Sequence, residues 1–203
     1  MNLNPPPADP ALAMLLIDPI PMGVRALDGL LKEAPVHLVS AGTVQCGLYL
    51  IVISGEVEPV ERSVKRALDL AGARVTDHVL LPDAEPRILP AIREHRLCWP
   101  APGDTLGVIQ TGTPPQLLRA VDRALKGTPV ELVELRVGDG LGGGAIASLW
   151  GETHDVEAAI ELAAETIPSE GAAGFSTAVI RNADADLVSR IGSPTMFHDR
   201  WRG

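Results

Sequence analysis

The chain repeats itself. The stretch "LDGLLKEAPVHLV" at 27–39 returns as "VDRALKGTPVELV" at 121–133, an offset of 94 residues. Asp28/Asp122, Leu31/Leu125, Lys32/Lys126, Pro35/Pro129, Val36/Val130, Leu38/Leu132 and Val39/Val133 are identical pairs. The correspondence resumes at Gly55-Glu56 and Gly151-Glu152, then at Val60-Glu61 and Val156-Glu157, with the offset grown to 96. Two extra residues therefore sit between, and the glycine-rich "GDGLGGGA" at 138–145 can hold them. Two merely similar amphipathic helices would not share the Pro-Val and Gly-Glu junctions. Such a chain must fold as two copies of one unit of roughly 100 residues.

Each copy reads the same way. A strand (12–20; 106–111) leads to a helix (22–34; 114–127) with apolar residues at helical spacing: Val24, Leu27, Leu30, Leu31 and Leu117, Leu118, Val121, Leu125. Pro35 and Pro129 mark the helix end, since proline cannot continue the hydrogen-bond ladder. Two strands follow (36–40 and 48–54; 130–136 and 145–150), joined by a glycine-containing loop. A second helix (59–72; 155–167), a last strand (74–82; 173–181) and a short acidic helix complete the unit. The pattern is β-α-β-β-α-β, an α/β (α+β) unit with an antiparallel sheet flanked by helices. The expected limits are 11–92 for the first domain, 93–105 for an exposed linker and 106–191 for the second domain, with flexible tails at 1–10 and 192–203.

Composition narrows the function classes. Aromatics are 3% of the 203 residues, leaving little capacity for stacking on bases or sugars. The net charge of −9, without a basic block, argues against nucleic acid. No apolar run approaches the ~20 residues of a membrane span. The N-terminus lacks the basic flank and long apolar core of a signal peptide, so a cytoplasmic protein is expected. Two cysteines 52 positions apart make neither a disulfide framework nor a single-chain zinc site.

The doubled "D-x-x-L-K-x-x-P-V-x-L-V", followed by a loop, a strand and "G-E", resembles the domain of bacterial microcompartment shell proteins. Two copies in one chain are similar to the tandem class (BMC-T). The resemblance covers about residues 11–191, and the strand that precedes each "DxxLK" helix is similar to the unpermuted, single-layer type. It implies a homotrimer that mimics a hexagonal tile in a microcompartment shell, is not an enzyme, and packs edge to edge with other shell proteins. The edge lysine of the family falls on Lys32 and Lys126. Its edge arginine falls on Arg181 in "IRN" (180–182), whereas the first copy reads "LPDAE" (81–85), with no arginine.

The resemblance also directs the loop between the second and third strands of each domain toward the symmetry axis. Here those loops hold Thr43, Val44, Gln45, Cys46 and Gly47, and Asp139, Gly140, Leu141, Gly142 and Gly143. They would line a pore for small metabolites, with glycine allowing close approach of several backbones. A phosphate-binding reading fails, because "GLGGGA" lacks the Lys and Ser/Thr of a P-loop and joins strands.

Cys46 is the candidate metal ligand. A threefold axis would bring three thiols together, enough for three irons of a [4Fe–4S] cluster. The loop "TVQCG" is similar to the "T-I-C-P-G" of cluster-bearing tandem shell proteins, displaced by one residue. The main expectation is no cofactor, with Cys46 as a small packing residue. A third reading is a trimeric α/β protein that binds a small ligand. His37 reads as a polar strand position and no Ser/His/Asp set has a nucleophile context. His95, Cys98 and Trp99 share the linker without a recognisable pattern.

Overall fold

The computed structural model describes residues 9–94, 98–100, 104–138, 141–167 and 174–191. The first domain comprises β1 (Ala11–Ile17), α1 (Ile20–Glu33), β2 (His37–Val44), β3 (Leu48–Gly55), α2 (Val57–Ala71), β4 (Val75–Leu81) and α3 (Ile88–Glu94). The second comprises β5 (Thr105–Thr111), α4 (Pro114–Gly127), β6 (Glu131–Val137), β7 (Ala145–Gly151), α5 (Thr153–Glu165), β8 (Ser176–Ile180) and α6 (Ala185–Arg190). Each forms a four-stranded antiparallel sheet, ordered β2-β3-β1-β4 and β6-β7-β5-β8. The element order is the unpermuted one expected from sequence.

Local chemistry moves several boundaries. β1 stops at Ile17 rather than 20 because Pro19 has no N–H for the ladder, and Pro19 caps α1 instead. β2 runs on to Val44, which absorbs Thr43 and Val44 from the expected loop. α2 starts two residues early and carries Pro59 in its first turn, where a missing N–H costs nothing. α3 extends into the expected linker, and Thr105, also placed there, is the buried first residue of β5. The Thr105 and Thr153 hydroxyls share a 2.7 Å hydrogen bond. Residues 1–8 and 192–203, the bulk of the two expected tails, lie outside the described residues.

All seven residues of β1 are buried, which a continuous apolar run allows only when both sheet faces are covered. Ala11, Ala13, Leu15 and Ile17 pack with Ile51, Ile53, Leu30 and Val60 under α1 and α2. Leu12, Met14 and Leu16 turn the other way, into a larger core shared with α3 and the second domain. The helix α4 joins the domains: it packs on its own sheet and also against β4 and β1. Nine of its fourteen residues are buried, against three in α1, its counterpart in the first copy.

Candidate functional site

The loops come first. Thr43 and Val44 end β2 opposite Tyr49 and Leu48, and Gln45–Gly47 make one tight turn into β3. Cys46 holds φ 67°, a left-handed conformation that side chains rarely adopt, and Gly47 follows at φ 79°. From the second copy, Gly142 and Gly143 lie against this turn and Leu141 is exposed beside them; Asp139 and Gly140 fall outside the described residues. Gly142 donates its N–H to Gln45 Oε1 at 2.7 Å, and Cys46 Sγ donates to the Gly142 carbonyl at 3.5 Å. Gly138, at φ 85°, is fixed by contact as well, since a Cβ there would come 2.7 Å from Val44 Cγ1. The two repeat loops thus meet within one chain. Cys46 is exposed and forms no disulfide.

The second feature is the seam between the domains. Arg119 Nη2 donates to the His78 carbonyl at 3.1 Å. Asp122 Oδ1 accepts the Glu85 N–H at 2.8 Å. Lys126 Nζ donates to Asp122 Oδ2 at 2.9 Å and to the Asp83 carbonyl. Thr113 Oγ1 donates to Asp77. Arg87 closes the lower end: Nη1 donates to the Val130 carbonyl at 2.7 Å and Nη2 to the Leu125 carbonyl at 3.2 Å. Its Nε donates to Glu85 at 2.7 Å, and Glu131 lies 3.6 Å away.

The first copy repeats the charged side of this seam without a partner domain. Arg25, Asp28 and Lys32 stand 94 residues before Arg119, Asp122 and Lys126, and all three are exposed. Lys32 bonds only its own helix, to Asp28 at 2.8 Å. The apolar residues behave alike. Val24, Leu31 and Leu38 are between 41% and 49% exposed, whereas Leu118, Leu125 and Leu132 are at most 3% exposed. The Arg25/Arg119 pair lies just outside the stretch that revealed the repeat. Arg87 has no equivalent there, so sequence reasoning had no signal for it. The remaining edge candidate, Arg181, is exposed and pairs with Glu157 of its own domain.

Burial acts to raise the Glu85 carboxyl. The hydrogen bonds from the Arg87 side chain and backbone, with the charges of Arg87 and Lys126, more than offset it and hold Glu85 below its ordinary range. The bond to Glu85 in turn raises Arg87. A depressed folded pKa contributes stability that is present above the unfolded value of about 4.3 and is lost as pH falls through the folded value. Wild-type thermal stability is therefore expected to fall more steeply below about pH 4.3 than that of Glu85→Gln. Parallel acid limbs in melts of the two proteins would contradict the assignment.

One Ser/Asp/His group does come together. Ser54 Oγ donates to Asp9 at 2.7 Å and His37 Nδ1 lies 2.9 Å from the same oxygen. Both neighbours converge on the carboxylate, so the serine has no imidazole base and the arrangement is not a nucleophilic triad. At the start of α5, Glu152, His154 and Asp155 bring ligand atoms within 4.8 Å of one another. Glu152 and His154 are exposed and Asp155 half-buried at a helix start, where carboxylates are favoured in any case.

Comparison with known proteins accounts for this double architecture. The BMC domain matches residues 11–84 and again 105–183. The bacterial microcompartment shell protein PduT of Citrobacter freundii is 29% identical over 171 residues, 84% of this chain and 92% of its own. The crystal structure of a microcompartment protein from Desulfitobacterium hafniense matches with a TM-score of 0.75 at 30% identity, covering 87% of this chain and 97% of that one. A fused permuted hexameric shell protein of the RMM microcompartment shares the fold alone, with a TM-score of 0.57 and 21% identity over 76% of this chain and 79% of its own. The chain belongs to the BMC domain family and carries that domain twice in tandem.

Proposed function

We propose that the chain is a structural component of a bacterial microcompartment shell, in which three copies close into a pseudo-hexameric tile. The tile packs edge to edge with other shell proteins and passes small metabolites through a central opening lined by the loops around 43–47 and 138–144. The observation that carries this reading is the half-used seam. Arg25, Asp28 and Lys32 offer the same groups that bind across the seam inside the chain, beside three uncovered apolar side chains.

The strand registers say what would bind them. His78 opposite Leu15 corresponds to Thr177 opposite Ile109, and Asp83 two residues past Leu81 corresponds to Asn182 two past Ile180. Arg25 would donate to the carbonyl of Thr177 of the partner subunit, and Lys32 to that of Asn182 of the partner subunit. Such a head-to-tail contact closes into a ring, and three chains present six like domains. The charge and aliphatic stem of Lys32, Lys126 and Arg181 leave room for a further contact at the tile edge, which rests on the family resemblance. Sedimentation should give about three times the 21.4 kDa chain mass, and mixtures with other shell proteins should form flat sheets by electron microscopy. A monomer at micromolar concentration would end this reading.

A second reading concerns Cys46. Its thiol is exposed, unpaired in a disulfide and held at a left-handed backbone position, so three chains could present three thiolates to one axis. The described loop residues add no bulky charged group that would obstruct a [4Fe–4S] cluster there. Such a cluster would supply one-electron transfer; the part of each chain would be to hold one iron through Cys46. Anaerobically purified protein should then contain iron and a visible absorbance, both lost in Cys46→Ser while the trimer mass is kept. Iron-free wild-type trimers from the same preparation would remove the cluster and leave the open pore.

A further inference from the structure

One difference between the two copies opens a pocket. In the second domain Arg136 Nη2 donates to Glu134 Oε2 at 3.0 Å, an ion pair between a buried carboxylate and a half-buried guanidinium near the end of β6. The register equates Glu134, opposite Ser148, with Ser40, opposite Val52, and Arg136, opposite Ile146, with Gly42, opposite Leu50. The first copy therefore has a hydroxymethyl and a hydrogen where the second has a carboxylate and a guanidinium. A Cβ built at Gly42 meets nothing within 4 Å. The space left is a cavity of about 440 Å³ between β2, β3, α3 and the end of β6.

Its chemistry is specific. The floor is aliphatic, formed by Val44, Leu50, Val52, Ile92 and Val137, with the Ser40 and Thr43 hydroxyls at the side. Arg93 is the one charged residue of the lining among the described residues, in a chain whose net charge is −9. The size is that of small-molecule sites, and the lining sets aliphatic side chains beside polar groups. A guanidinium fork matches a carboxylate and is disfavoured beside a cation. We infer that this pocket binds a short-chain aliphatic carboxylate, its alkyl body on the valine and leucine floor and its head group on Arg93. The pocket is complete within one chain, so it does not depend on ring closure. In a closed tile it would recur on alternate domains, the others carrying Glu134 and Arg136 at the matching positions.

The test is methyl-detected NMR on the full chain, titrated with butyrate, hexanoate and octanoate, with hexan-1-ol and hexylamine as head-group controls. Saturable shifts are expected at Leu50, Val52 and Ile92, with affinity rising about fourfold per methylene. Hexanoate should bind at least tenfold more tightly than hexylamine. Arg93→Gln, an exposed change that leaves the fold intact, should bring hexanoate down to the affinity of hexan-1-ol. Ser40→Glu with Gly42→Arg, which copies the second domain, should abolish binding. Absence of saturable shifts with octanoate in the low millimolar range overturns the proposal, as does hexylamine binding equal to hexanoate. So does an unchanged hexanoate affinity in Arg93→Gln.

Discussion

Leu31→Glu is expected to convert the proposed trimer into folded monomers, while Leu125→Ala is expected to destabilise the chain itself by about 2–5 kcal/mol. The two leucines are the same position of the repeat. Leu125 is 3% exposed between its own sheet and the first domain, so truncation leaves a cavity there. Leu31 is 41% exposed on α1, so within one chain a carboxylate at this position meets water. Across the proposed seam it would be buried with no partner, a cost that ring closure cannot absorb. Sedimentation reads the assembly and urea unfolding reads the stability. Intact trimers of Leu31→Glu, or a Leu125→Ala chain as stable as wild type, would refute the equivalence of the two seams.

Arg87→Met is expected to lower stability by about 1.5–3 kcal/mol, the range for hydrogen bonds to a charged group. The guanidinium serves two backbone carbonyls, at Leu125 and Val130, and the Glu85 carboxylate. Methionine keeps most of the aliphatic stem, so the loss reports the polar contacts and the unpaired Glu85 left behind. Equal urea midpoints for the variant and wild type would show that the clamp adds nothing. In the second copy the corresponding stretch "NADADL" (182–187) has no arginine. The seam within a chain therefore has a clamp that the proposed seam between chains lacks.

The repeat made most of the fold legible. Leu30 and Leu117, read from helical spacing, are fully buried, and both copies keep the element order inferred from one pattern. Two of the shifted boundaries, at the end of β1 and the start of α2, turn on where a proline sits. Pro19 ends a strand by removing a donor, while Pro59 sits harmlessly in a first helical turn. The loop residues were nameable from the family resemblance, but the bond from Gly142 to Gln45 was not. It joins residues 97 apart, and nothing in either loop specifies the other.

The linear order of residues determined that this chain is one unit used twice, because helical and strand periodicity and the Pro and Gly junctions are local properties that survive duplication. It could not distinguish Val24 from Leu118, or Leu31 from Leu125, since both copies present the same apolar face. Only the tertiary structure decided that one face is filled and the other left open. The physical reason is that a two-domain chain has one internal seam and two ends, so identical surfaces meet different surroundings. The same holds for Ser40 and Gly42, two small residues that line a cavity where the matching positions of the second copy hold the Glu134–Arg136 ion pair.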